Sequence, residues 1–229
     1  MGSPNVLTVC TANICRSPAA ATLLRRGLAD LLPQATVASA GVSAEDGREA
    51  CDLTSALVGE FVAGQGAGQV PAVGAAGESA GHASRRLTRE HVEQADLILA
   101  MDRSHRSAIA VLLPSSRPRT FTLRQAAEAA GTVAAALRAG RLPEGAAPVP
   151  GTAADRFAWW VGEIDAARAF IAGGDAAATA GLVIDPLDVP DPHVAGYQYH
   201  PMAVELIESA VETLLTSLRT VMEFGEGAN

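Results

Sequence analysis

The chain has 229 residues, 48% of them hydrophobic, which is enough apolar mass for a real core and excludes disorder throughout. A formal net charge of -8 disfavours nucleic acid or anionic lipid as a partner. No apolar run nears the roughly 18 residues of a membrane span and the N-terminus lacks the basic-then-apolar order of a secretory signal, so a cytoplasmic protein with no membrane role is expected.

Asn5 to Cys10 is a short Val/Leu-rich candidate strand. Pro18 stands where a first-turn proline is tolerated, ahead of an apolar face through Leu23, Leu24 and Leu28, so strand, loop and helix follow one another. Ala35 to Ala40 reads as a second strand ending at Gly41, and Cys51 to Val62 as a helix with Leu53, Leu57 and Phe61 on its apolar face. Ala63 to Gly81 is glycine-rich and reads as a loop. Thr88, three residues before His91, starts a short helix ahead of the apolar run Ala95 to Met101, the third strand. Arg103 to Leu113 suits a helix stopped by Pro114, and Thr120 to Leu123 a fourth strand.

Residues 124–180 differ in character: Ala-rich helical stretches, 125–140 and 153–172, flank the Pro/Gly segment 141–152, and the whole reads as a helical insertion. Its apolar stripe of Phe157, Trp159, Trp160, Val161, Ile164 and Phe170 fits core or an oligomer contact, or else a lid. A last helix, Pro201 to Phe224, sets Ala203, Leu206, Ile207, Ala210, Leu214, Leu218 and Val221 on one face. Alternating strands and helices predict an α/β fold, a four-stranded parallel sheet with helices on both faces. One domain over 1–229 is expected, with the insertion at 124–180.

In such sheets ligands bind beyond the carboxyl ends of the strands. The first strand-to-helix loop there reads Cys10-Thr11-Ala12-Asn13-Ile14-Cys15-Arg16-Ser17. A loop wrapping onto a helix N-terminus turns backbone N–H groups inward and makes a nest for a tetrahedral dianion such as phosphate. Arg16 closes it with two parallel hydrogen bonds that lysine could not reproduce. Cys10 then lies below the phosphorus as a nucleophile, held as thiolate by the same positive cradle and by the Ser17 hydroxyl, and Asn13 tolerates a left-handed backbone. A bare Cys-x5-Arg is weak, and Cys10 alone could be a buried small hydrophobe; the strand before it and the Ser-Pro helix start after it favour phosphate chemistry. Three cysteines and five unevenly spaced histidines form no paired clusters in sequence, so no metal and no cofactor is expected, and His91, His105, His193 and His200 default to solvated or structural roles. Cys15 shares the loop, either as packing or as a thiol that traps oxidised Cys10 in a disulfide.

CTANICRSP, SAG (Ser39 to Gly41), HASR (His82 to Arg85), LAMD (Leu99 to Asp102) and VPDP (Val189 to Pro192) closely resemble, in content and order, the low-molecular-weight protein tyrosine phosphatase family. The resemblance covers roughly residues 5–123 and 183–222 and implies a phosphomonoester hydrolase acting on phosphorylated protein, chiefly phosphotyrosine, through a phosphocysteine. It implies Cys10 as nucleophile, Arg16 as phosphate clamp and Asp191 as general acid, with Asn13, Ser17, Ser39 and His82 propping the phosphate loop. A poor leaving group needs a proton in the transition state, and the following proline stiffens the loop presenting Asp191; Asp185-Pro186 repeats the dipeptide at the wrong distance from the last helix. Ala12 replaces the family's usual glycine. The aromatic residues that usually wall the substrate groove are absent after SAG and after Asp191-Pro192, and Tyr197 and Tyr199 are candidates to replace them. Arsenate reductase shares this loop logic but wants further cysteines, and the region after Asp102 has none; a non-catalytic anion-binding pseudophosphatase is the other alternative.

Overall fold

A computed structural model describes residues 2–64, 81–171, 177–179 and 182–225 of the chain. Most of the expected glycine-rich loop, residues 65–80, lies outside the described residues, as do the Phe61 side chain and residues 172–176 of the insertion.

The sheet forms from strands β1 (Asn5–Cys10), β2 (Thr36–Gly41), β3 (Leu97–Ala100) and β4 (Thr120–Thr122), in the order β2-β1-β3-β4 and all parallel. Strands covered on both faces need apolar residues at every position, and β3, Leu-Ile-Leu-Ala, is buried throughout. Connecting helices are α1 (Arg16–Leu28), α2 (Asp52–Gly64), α3 (Arg89–Gln94) and α4 (Arg103–Leu112). Thr88 caps α3 by accepting from the His91 N–H, and the His91 ring returns the favour to the Thr88 N–H, a capping box with histidine in the usual Glu/Gln place. After α4, Pro114–Arg119 forms a 3-10 turn into β4. Helix α2 departs from its expected face: Thr54 and Val58 are buried while Leu53 is exposed, because the side toward the last helix is offset from the Leu53–Leu57 line.

Leu123 opens a helix rather than finishing β4, because the Thr122 hydroxyl accepts from the Gln125 N–H and caps α5 (Leu123–Arg138). Helix α6 (Ala153–Ala167) follows, then an antiparallel pair, β5 (Ala177–Thr179) and β6 (Leu182–Ile184), too short for its alternation to be read from sequence. The short α7 (Pro192–Ala195) and long α8 (His200–Glu223) complete the chain.

Helix α5 packs along α8 on the face of the sheet that also carries α1, and α6 packs on α5 and α8. Phe157, Trp160, Val161 and Ile164 are buried in that core, so most of the apolar stripe is core; Phe170, 85% exposed, is not. Trp160 Nε1 donates to Ser217 Oγ at 3.0 Å, and Ser217 Oγ donates to the Ala130 carbonyl at 2.7 Å, stitching α6, α8 and α5 together. No helix among the described residues is long and apolar enough to cross a membrane. Trp160→Ala should lower the free energy of unfolding by about 3–5 kcal/mol, through cavity and lost transfer energy. Denaturant titration checks this, and a loss near zero would make α6 a loosely attached flap.

Candidate active site

Because β1 ends at Cys10 and α1 begins at Arg16, residues 11–15 must reverse the chain within one tight loop. Asn13 makes the reversal with φ +54°. Gly41 lets the loop come close: a Cβ there would lie 2.6 Å from the Thr11 carbonyl oxygen and 2.8 Å from the Asn13 nitrogen. The next segment rims the loop, with Val42 N–H on the Cys10 carbonyl, Ser43 N–H on the Thr11 carbonyl and Cys51 N–H on the Ile14 carbonyl. Asn13 is wholly buried; its Oδ1 accepts from Arg85 N–H at 3.0 Å and its carbonyl meets His82 Nε2 at 2.6 Å. Ser39, buried on β2, contributes its carbonyl, which accepts from Arg85 Nε at 2.7 Å. Thr11 is exposed, and Ala12 and Ile14 are half-buried at the loop's rim.

Cys10 Sγ lies 3.0 Å from Ser17 Oγ and receives the Asn13 N–H at 3.3 Å. Asn13 Nδ2 donates to Ser17 Oγ at 3.0 Å, which leaves the hydroxyl proton free to point at sulfur. Ser17 and the Asn13 N–H thus offer two donors to one sulfur. Cys15 faces away, with Sγ 2.9 Å from Thr54 Oγ1 on α2, and burial pushes its thiol up to about 12 against that hydrogen bond. It is a protonated packing group in this state.

Arg16 is 2% exposed. Nη1 donates to the Val189 carbonyl at 2.9 Å and lies 3.4 Å from Asp102 Oδ2; Nη2 donates to Thr11 Oγ1 at 3.2 Å and pairs closely with Asp191 Oδ2. The structure therefore brings Cys10, Arg16 and Asp191 to one place, although Asp191 follows Arg16 by 175 residues. Asp191 also caps α7, its Oδ1 accepting from His193 N–H at 3.0 Å. Asp185 points elsewhere, pairing with Arg103 and capping its own turn at Leu187 N–H.

Two polar residues in this network carry no site role in the sequence reading, which has Asp102 only within the LAMD motif and His105 only as a solvated or structural histidine. Asp102, at the end of β3, caps α4 through His105 N–H at 3.0 Å, and His105 is buried beneath it. Hydrogen bonds from Ser104 and His105, with the nearby Arg16 charge, outweigh the burial that opposes ionisation and hold the Asp102 carboxyl below its usual range. His105 Nε2 meets Thr11 Oγ1 at 2.9 Å, and Nδ1 lies 3.0 Å from Asp102 Oδ2, too poorly aligned for a full hydrogen bond. Donors fit one sense around this ring: Arg16 to Thr11, Thr11 to His105, and His105 and Arg16 toward Asp102. The available signal was an acid three residues before a histidine at a helix start, a pattern shared by many ordinary caps.

Burial lowers His105 from 6.5 to about 4, Asp102 opposing the shift. Above pH 6.5 both folded and unfolded chains hold it neutral; as pH falls from 6.5 towards 4 only the unfolded chain takes the proton, so stability drops. A gap of that size is worth about 3 kcal/mol. His105→Gln should flatten the acid limb of the stability profile by about that amount, measured by urea unfolding at pH 7 and pH 4. An unchanged limb would place the acid sensitivity elsewhere.

A family model described as low molecular weight phosphotyrosine protein phosphatase matches residues 5–138, and so takes in α5. A protein-arginine-phosphatase of Geobacillus stearothermophilus is 37% identical over 120 residues, 52% of this chain and 69% of that protein. The low molecular weight protein-tyrosine-phosphatase Etp of Escherichia coli is 36% identical over 121 residues, 53% and 70% of the two chains. Among solved structures, the YwlE arginine phosphatase from Geobacillus stearothermophilus has a TM-score of 0.55 at 24% identity over 95% of this chain and 94% of that one. The tyrosine phosphatase Wzb from Escherichia coli K30, in complex with phosphate, has a TM-score of 0.51 at 22% identity over 94% and 97%. These two share the fold. With the family model matching more than half of its length and its sheet and phosphate loop built as described, the chain belongs to the low-molecular-weight phosphotyrosine protein phosphatases, cysteine-dependent phosphomonoester hydrolases.

Proposed function

We propose that this chain hydrolyses phosphotyrosine in proteins, with Cys10 as nucleophile, Arg16 as phosphate clamp and Asp191 as general acid, the loop 11–17 cradling the phosphate. The observation that carries the reading is the Arg16 guanidinium, which meets the phosphate loop at Thr11 and the acid loop at Asp191 at once. An incoming phosphate dianion takes over Arg16 with two parallel hydrogen bonds, freeing Asp191 to turn to the leaving oxygen. Once off the guanidinium the Asp191 carboxylate takes up a proton from solvent; the Cys10 thiolate then forms the S–P bond as the P–O bond breaks, and Asp191 gives that proton to the departing phenol. In the second step the Asp191 carboxylate takes a proton from water, the water oxygen bonds phosphorus, and the S–P bond breaks. Sulfur leaves as a thiolate onto Ser17 and the Asn13 N–H. We place the whole of 1–229 in one phosphatase domain with a helical region at 124–180, of which α5 falls within the family match.

Beside Asp191, Tyr197 is 65% exposed and stacks edge-on with His193 at 5.8 Å, and Val194 is exposed. This surface supplies the aromatic wall missing after SAG and favours a phenyl ester. The 37% identity to a protein-arginine-phosphatase supports a second reading, phosphoarginine as substrate.

Cys10→Ser and Arg16→Ala should abolish turnover of an aryl phosphate. Asp191→Asn should cut kcat about 10²- to 10⁴-fold for a poor leaving group and far less for an activated aryl ester. If Asp185→Asn gives that pattern instead, the acid has been misassigned. Phosphate release from matched peptides separates the substrates: kcat/KM should favour phosphotyrosine over phosphoarginine by about tenfold or more, about 1.4 kcal/mol of transition-state binding, and the reverse ratio establishes the arginine reading.

A further inference from the structure

Cys15, Cys51, His193 and His200 are dispersed in sequence and converge beside the cleft. Cys15 Sγ and one ring nitrogen from each of His193 and His200 lie within 4.8 Å of one another. Cys51 Sγ lies 3.5 Å from His200 Nε2. His200 is wholly buried, and its Nδ1 meets the Tyr197 carbonyl at 2.9 Å. A carbonyl only accepts, so the neutral ring carries its proton on Nδ1 and turns the Nε2 lone pair towards Cys51 Sγ. Metal-binding histidines are oriented by the same kind of outer hydrogen bond. The four residues sit on separate, well-anchored elements: Cys15 at the start of α1, Cys51 fixed to the Ile14 carbonyl just before α2, His193 on α7 and His200 at the first turn of α8.

We propose that Cys15, Cys51, His193 and His200 form a binding site for one zinc-class divalent ion. Tetrahedral zinc, with bonds of about 2.3 Å to sulfur and about 2.0–2.1 Å to nitrogen, sets its ligand atoms roughly 3.5 Å apart. The Cys51–His200 spacing already meets that value, and the ligand atoms of Cys15, His193 and His200 close by about an ångström, the exposed His193 ring turning out of its edge contacts with Tyr197 and His200 while Cys51, near enough to Cys15 for the two thiols to act on each other electrostatically, swings in from its place beside His200. Binding releases the two thiol protons to solvent and leaves two thiolates and two neutral imidazoles around a dication. The loaded site is electrically neutral, which suits its burial. A set of sulfur and imidazole ligands selects zinc-class ions over magnesium or calcium. Since Cys15 belongs to the phosphate loop and His193 follows Asp191 by two residues, an ion here ties the acid loop to the phosphate loop.

The test uses full-length Cys10→Ser protein, in which Cys15 and Cys51 are the remaining thiols. Chelator competition should give one tightly bound zinc per chain, and cobalt in its place should show sulfur-to-metal charge transfer with the strong visible bands of tetrahedral geometry. In that background Cys51→Ser and His193→Ala, at half-buried and exposed positions, should leave melting in chelator unchanged and weaken zinc binding by at least about 100-fold. Absence of stoichiometric zinc, a cobalt spectrum without thiolate charge transfer, or an affinity indifferent to both substitutions overturns the proposal.

Discussion

The Arg16 guanidinium is a cation at 2% exposure, and a buried charge is tolerated only where it is paired and its donors are used. Its partners come from three separate parts of the chain: Thr11 in the loop after β1, Asp102 at the end of β3, and Val189 with Asp191 ahead of α7. Of these only Thr11 lies near Arg16 in sequence. The parallel sheet solves the problem by delivering the carboxyl ends of adjacent strands to one edge, and the order β2-β1-β3-β4 sets β1 beside β3. The acid-bearing loop is then strapped over the same edge: Val189 N–H donates to the Met101 carbonyl at 2.8 Å, and Thr122 Oγ1 to the Leu187 carbonyl at 2.6 Å. Arg124 Nη1 reaches the Asp188 carbonyl at 3.2 Å.

These straps tie the helical region to the site. Thr122 caps α5 and also binds the loop carrying Asp191, while α5 and α8 pack together along the sheet. Small side chains make this close approach possible: Ala126, Ala129 and Ala130 on α5 face a helix whose Ala203, Ile207, Ala210 and Leu214 are equally buried. A region that reads as added material by composition therefore contains, in α5, part of the framework that aims the acid loop. Helix α6 then covers the outside of the α5–α8 pair, and its aromatic residues fill the core rather than reach the cleft.

Local features of the sequence were readable where the physics is local. The strand ending at Cys10, the helix starting beside Arg16, the left-handed Asn13 and the four parallel strands each follow from patterns within a few residues. Asp191 was reachable only through family resemblance, because nothing within ten residues of it distinguishes it chemically from Asp185; the structure separates them by partner, Arg16 for one and Arg103 for the other. His105 and the Cys15, Cys51, His193, His200 cluster were hidden for the same reason. Histidines without ligand spacing look structural in one dimension, and only the fold gives them neighbours: α4 against the loop after β1 for His105, and the meeting of α1, α2, α7 and α8 for the cluster. The offset face of α2 shows the limit of periodicity: Leu53 and Leu57 define an apolar line, but the helix is turned by the demands of Thr54 on Cys15 and of Val58 on the core.

On the mechanism proposed above, the pairing of Arg16 with Asp191 bears on how the cycle is ordered. With both in place the buried cation is satisfied, but the carboxylate is spent on it and cannot serve a leaving group. Phosphate entering the loop brings two negative oxygens in the geometry a guanidinium matches best, so one anion replaces another and Arg16 is never left unpaired. On that mechanism Asp191 is released only when a dianion has arrived. Because its other oxygen stays on the His193 N–H, release is a short turn of a capped helix start rather than a free excursion. In the proposed cycle Asp191 is thus withheld until Cys10 has a substrate in front of it, and the carboxylate that stabilises the resting site takes up a proton on release and becomes the donor of the loaded one.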